Sequence, residues 1–129
     1  MENKAKILHV EDNPDNRLLV RRVLQAAGYT VLEASDARQA LDVLRLQIPD
    51  LILMDINLPE IDGYTLTRQL KARPELANVP IIAMTAYALR GDRERSLAAG
   101  CDDYIEKPID VDSLSKQIDR FLKQSASQR

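Results

Sequence analysis

Short apolar runs and longer amphipathic stretches alternate along the whole chain. Residues 5–10, 30–34, 51–54, 80–84 and 102–105 are rich in β-branched residues or leucine and too short for stable helices, so they predict five strands. Leu19, Val20, Val23, Leu24 and Ala27 recur at helical spacing, with Pro14 suited to a first turn and Gly28 where a left-handed residue closes a helix. Ala37, Ala40, Leu41 and Leu44 mark a second helix that begins after Ser35 or Asp36 and stops before Pro49. Val111, Leu114, Ile118, Phe121 and Leu122 mark a last one from near Asp110. A third, about 64–72, carries Leu66 and Leu70 on a thin apolar face, and a fourth, about 92–99, is mostly charged and ends at Gly100. Strict alternation of strand and helix, with near-continuous apolar runs in the central strands, predicts an α/β domain: a doubly wound, five-stranded parallel sheet covered by helices on both faces.

Composition narrows this further. A chain of 129 residues makes one domain, with an expected core at about 5–122 and a polar tail, 123–129, expected to fray. At 45% hydrophobic and 29% charged it is globular rather than disordered or low in complexity. A net charge of −2 offers no field for nucleic acid or an anionic membrane, and four Tyr, one Phe and no Trp leave no base-stacking platform. The single cysteine, Cys101, excludes an internal disulfide, the start MENKAKILHVEDN lacks the long apolar stretch expected of a secretory leader, and no apolar run approaches the ~18 residues of a membrane span. A cytoplasmic protein is expected, with neither nucleic acid nor membrane as partner.

In open α/β sheets the ligand crevice lies beyond the carboxyl ends of the strands, where strand order reverses. Glu11 and Asp12 follow the first strand, Asp55 the third, Thr85 and Ala86 the fourth, and Lys107 with Pro108 the fifth. Any one acidic residue at such a place serves equally well as a helix cap or a solvated loop residue. Three from separate segments repel one another unless a cation neutralises them, and Mg²⁺ prefers oxygen ligands of this kind, with Mn²⁺ as the alternative occupant. Lys107 suits pairing with a carboxylate in one state and a phosphoryl oxygen in another, and Thr85 can donate a hydroxyl to such an oxygen. His9, between Leu8 and Val10 in the first strand, reads as a packed core residue rather than a phosphocarrier.

The stretches ILHVEDN, LILMDINLPEIDGYTL, PIIAMTA and GCDDYIEKPID resemble, in order and spacing, the signatures of response-regulator receiver domains, the phosphoacceptor partners of histidine kinases. The resemblance covers about residues 5–122 and implies a flavodoxin-like strand order, 2-1-3-4-5. It further implies that Asp55 accepts the phosphoryl group, and that Glu11, Asp12, Asp55 and the Asn57 backbone carbonyl hold Mg²⁺. Lys107, Thr85 and the Ala86 backbone would contact the phosphoryl group, and Thr85 with Tyr104 would switch a partner-binding surface. Glu11 stands where aspartate is often found. The implied partners are a sensor histidine kinase or histidine phosphotransfer protein and a downstream protein target.

Finer expectations attach to single residues. Leu18, Pro108 and Ile109 are expected to form an exposed kinase-docking patch, against the plainer alternative of scattered surface residues. Asn57 and Tyr87 are expected to tune how long the phosphoryl group survives. Self-phosphorylation from small donors and autodephosphorylation are expected, not turnover as an enzyme. A small Mg²⁺-dependent aspartyl-phosphate phosphatase would use the same nucleophile, but the haloacid-dehalogenase-like group would carry a second aspartate where Asn57 stands. A flavin or nucleotide binder would need a glycine-rich loop in place of Glu11-Asp12-Asn13-Pro14. A phosphorylation-independent adaptor would not need the full set Asp12, Asp55, Thr85 and Lys107.

Overall fold

The computed structural model describes residues 5–86 and 91–127. Strands β1 (Lys6–Val10), β2 (Thr30–Ala34), β3 (Leu51–Asp55), β4 (Ile81–Thr85) and β5 (Asp103–Glu106) form one parallel sheet in the order β2-β1-β3-β4-β5. They alternate with helices α1 (Pro14–Ala26), α2 (Ala37–Leu46), α3 (Gly63–Lys71), α4 (Asp92–Ala98) and α5 (Val111–Ser127). The predicted architecture and strand order both hold. Strand order reverses between β1 and β3, so the loops that follow them leave side by side, one toward each face, and open a crevice at the sheet's carboxyl edge.

Period-two alternation along the strands divides the core in two. Leu8, Val10, Ile52, Met54 and Ala83 face one way, beneath Ala40 and Leu44 of α2 and Leu66 and Leu70 of α3. Ile7, Leu51, Leu53, Ile82 and Ile105 face the other, beneath Val20 and Leu24 of α1 and Leu114 and Ile118 of α5. All five residues of β3 and of β4 are buried, which is why these strands read as unbroken apolar runs. Polar side chains start four of the helices: Asn13 Oδ1 accepts from the Asp15 and Asn16 N–H groups, Asp36 Oδ1 from Gln39, Asp62 Oδ1 from Thr65, and Asp110 Oδ1 from Asp112.

Several details depart from the sequence expectation. Leu19, counted on the apolar face of α1, is 37% exposed, because the face is centred on the fully buried Val20 and Leu24 and Leu19 lies to one side of it. The α3 face is broader than Leu66 and Leu70 suggest, since Gly63, Tyr64 and Thr67 are also buried. Leu76 and Val79, in the connection to β4, are buried as well. Helix α5 runs to Ser127, past the expected start of the polar tail at 123, and Lys123-Gln124-Ser125-Ala126-Ser127 contains no helix breaker. In α4 the one large apolar residue, Leu97, is exposed, while Ser96 is buried. No helix among the described residues is long and apolar enough to cross a membrane.

Candidate functional site

Side-chain alternation carries charge to one point at the carboxyl edge of the sheet. Ile7 and His9 of β1 lead to Glu11, Leu51 and Leu53 of β3 to Asp55, and Ile105 of β5 to Lys107, all on the α1 and α5 side. Lys107 Nζ lies 3.2 Å from Asp55 Oδ1 and 3.3 Å from Glu11 Oε1. Glu11, Asp12 and Asp55 each present a carboxylate oxygen within 4.8 Å of the others. Glu11 and Asp55 are buried and Asp12 is exposed.

The backbone around these groups is tied down. The Glu11 N–H donates to the Ala34 carbonyl at 2.9 Å, and the Arg17 guanidinium donates to the Glu11 carbonyl at 2.7 Å. On the β3 side, Ile56 N–H donates to the Met84 carbonyl at 3.2 Å, Gly63 N–H to the Ile56 carbonyl at 2.9 Å, and Asn57 N–H to Asp55 Oδ1 at 3.0 Å. Arg17 and Gly63 had no part in the sequence argument. A basic residue in a first helical turn reads as a solvated charge, and a glycine at a helix start reads as a cap neighbour; only the tertiary contact distinguishes them.

Electrostatics mark the cluster as deficient in positive charge. Burial and the adjacent Asp55 carboxylate push the Glu11 carboxyl up to about 7. Burial alone would pull the Lys107 ammonium down, but Asp55 and Glu11 outweigh it and hold the group above the ordinary lysine value. The buried Glu11 Oε1 faces the Lys107 ammonium at 3.3 Å as an ion pair. Three carboxylates gathered within 4.8 Å, with one ammonium paired to two of them, are a donor set that suits a hard divalent cation such as Mg²⁺.

His9 lies beneath the cluster, its Nε2 4.0 Å from Glu11 Oε1, and is fully buried. Burial lowers it to about 4, so at neutral pH it is an uncharged packing residue, with no surface to offer a donor protein. Thr85 ends β4 and is fully buried, and its carbonyl accepts from the Lys107 N–H at 2.8 Å, joining the ends of β4 and β5. Tyr104 pairs with Ala83 across those strands, so alternation puts it on the same side of the sheet as Thr85, half-buried against the α2 and α3 core. Ala86 and Asn57 are exposed at the rim.

Tyr87 lies outside the described residues. Of the expected docking patch only Pro108, which follows a cis peptide bond, is exposed. Leu18 and Ile109 are half-buried, and Ile109 packs on the α1 and α5 core, so the patch is narrower than its composition suggested.

Comparison with known proteins agrees with this geometry. The family model for the response regulator receiver domain matches residues 7–119. The polar-differentiation response regulator DivK of Brucella anthropi is 44% identical over 116 residues, which cover 90% of this chain and 94% of that protein. The receiver domain of sensor histidine kinase PA1611 from Pseudomonas aeruginosa PAO1, solved with a magnesium ion coordinated in its active site cleft, is 43% identical with a TM-score of 0.85, over 92% of this chain and 98% of that one. The chemotaxis response regulator CheY4 of Vibrio cholerae is 29% identical with a TM-score of 0.86, over 92% and 98%. A buried carboxylate pair bridged by lysine, on a 2-1-3-4-5 sheet, thus occurs in a chain that belongs to the response regulator receiver family.

Proposed function

We propose that this receiver takes a phosphoryl group from a phosphohistidine, on a sensor histidine kinase or histidine phosphotransfer protein, onto Asp55. The observation that carries the reading is the meeting of Glu11, Asp12 and Asp55 within 4.8 Å, with Lys107 bridging two of them. An Asp55 oxygen attacks phosphorus, an acyl phosphate bond forms, the phosphorus–nitrogen bond breaks, and its electron pair stays on the donor imidazole. Glu11, Asp12, Asp55 and the Asn57 carbonyl would hold Mg²⁺. Bound there, the ion supplies charge neutralisation for the phosphoryl oxygens. Lys107 is released from Asp55 to one of those oxygens, with the Ala86 backbone beside it, and the fixed backbone of residues 55–57 keeps the nucleophile in place.

Thr85 and Tyr104 share a side of the sheet on neighbouring strands, which supports a coupled response. The new phosphoryl charge draws the Thr85 hydroxyl, Tyr104 takes the space released, and the surface around α4 and β5 that a downstream protein reads is altered. Leu18 and Pro108 are the proposed contacts for the donor, and Asn57 and Tyr87 the residues that set phosphoryl lifetime. The test is labelling with acetyl phosphate. One phosphoryl group per chain is expected with Mg²⁺, none with EDTA and none in Asp55→Asn. Labelling of Asp55→Asn at the wild-type level would refute the assignment, and continuous turnover of free phosphomonoesters would favour a phosphatase.

A further inference from the structure

Gly63 opens α3 directly against the backbone that carries the nucleophile. A methyl group built on its Cα would lie 2.5 Å from the Asp55 carbonyl oxygen, 2.8 Å from Ile56 Cα and 3.1 Å from the Asp55 carbonyl carbon. All three are backbone atoms, so no side chain can swing aside to make room. The Gly63 N–H donates to the Ile56 carbonyl at 2.9 Å, so the approach is a bonded contact as well as a close one. The same two residues begin the loop whose next N–H, that of Asn57, holds Asp55 Oδ1 at 3.0 Å. On the other side, Ile56 N–H is bonded to the Met84 carbonyl of β4. Residues 55–57 are thereby clamped between β4 and the first turn of α3, and that turn is itself fixed by Asp62 Oδ1, which accepts from Thr65 N–H at 2.9 Å.

We infer that Gly63 is a positioning residue for the acidic site: lacking a side chain, it lets α3 dock on the Asp55–Ile56 backbone, and this docking sets where the Asp55 carboxylate and the Asn57 carbonyl stand toward a divalent cation. The inference rests on the proposed function for its cation, but its geometric part does not. Substitution by alanine must push residues 55–57 and the α3 start apart. Supports of this kind typically govern metal affinity by about 10–100-fold.

The experiment compares Gly63→Ala with Gly100→Ala. Gly100 has φ +108°, and a methyl group there would lie 3.3 Å from Lys71 Cγ, so Gly100→Ala destabilises the fold at the opposite end of α3 from Gly63. Mg²⁺ affinity is measured by calorimetry at a temperature where urea unfolding shows both variants folded, and exchange protection of the Asn57 amide is measured in EDTA. Gly63→Ala is expected to bind Mg²⁺ at least about tenfold more weakly and to lose Asn57 protection, while Gly100→Ala keeps wild-type values of both. Wild-type Mg²⁺ affinity in folded Gly63→Ala, or an equal loss in Gly100→Ala, overturns the inference.

If Gly63→Ala does not fold, Asp62→Ala loosens the same turn without a clash, and Asp62→Asn retains a cap without the charge. Weaker Mg²⁺ binding in Asp62→Ala but not in Asp62→Asn supports the docking; equal behaviour of the two overturns it. If the wild-type protein binds no Mg²⁺, the proposed function falls, and Asn57 protection alone decides the docking.

Discussion

At the scale of single residues, the buried pair His9 and Glu11 makes opposite demands on pH. Burial lowers His9 to about 4 from an ordinary 6.5, so the stability it contributes is present above pH 6.5 and is lost as pH falls through about 4. Glu11 is raised to about 7 from 4.5, so its contribution is full below pH 4.5 and is lost as pH rises through about 7. Between about pH 4.5 and 6.5 the two slopes oppose each other, and in EDTA the wild-type urea midpoint is expected to vary little there. Glu11→Gln leaves the histidine slope, and its stability is expected to fall on acidification from pH 6.5 to 4. His9→Gln leaves the glutamate slope, and its stability is expected to rise from pH 7 to 4.5. Neither slope exceeds about 1.4 kcal/mol per pH unit for one proton. Parallel pH profiles in the two variants would show that the pair does not titrate in this way.

At the scale of elements, Lys71 joins three segments that the chain separates. From the last turn of α3 its Nζ donates to the Val79 carbonyl at 2.8 Å, ahead of β4, and to Asp102 Oδ2 at 3.0 Å, ahead of β5. Asp102 Oδ2 also accepts from the Ile81 N–H at 2.8 Å. Lys71→Met keeps the packing of the stem and removes the bonds, and is expected to cost about 1–2 kcal/mol of stability in urea unfolding, with Mg²⁺ affinity unchanged. Nothing in the sequence marks this lysine, since its partners lie 8 and 31 residues away. The elements themselves were legible because their signals are local: β3 and β4 are continuous apolar runs, Pro14 and Gly28 bracket α1, and Asp36 precedes α2. Asp55, Asp12 and Lys107 were legible because strand ends in an alternating α/β chain are known places. Leu19 and Ile109 were misjudged, and the roles of Arg17 and Gly63 went unseen, because exposure and backbone approach depend on what the third dimension brings alongside. The continuation of α5 to Ser127 is not marked by the apolar spacing, which ends at Leu122, because the last turn is polar and free of helix breakers.

For the molecule as a whole, the acidic cluster sets function against stability. In the absence of a cation, the buried carboxylates of Glu11 and Asp55 share one ammonium, and the exposed Asp12 carboxylate lies within 4.8 Å of both. Sites assembled for binding commonly cost the fold about 0.5–2 kcal/mol, which substitution recovers. Asp55→Asn removes one of the repelling charges and keeps an oxygen able to accept from the Asn57 N–H, and it leaves Lys107 to pair with Glu11. In EDTA at pH 7.5 the variant is therefore expected to be more stable than wild type by about 1 kcal/mol. A cation that binds only the folded state adds RT ln(1 + [L]/Kd), about 1.4 kcal/mol at ten times Kd, so Mg²⁺ is expected to raise the wild-type melting temperature toward that of Asp55→Asn. The variant, with a ligand removed, should respond much less. Matching ionic strength with sodium chloride separates this specific effect from screening. A lower stability of Asp55→Asn in EDTA would mean that the Lys107–Asp55 pair outweighs the repulsion, and an equal Mg²⁺ response in the two proteins would remove Asp55 from the cation's ligands.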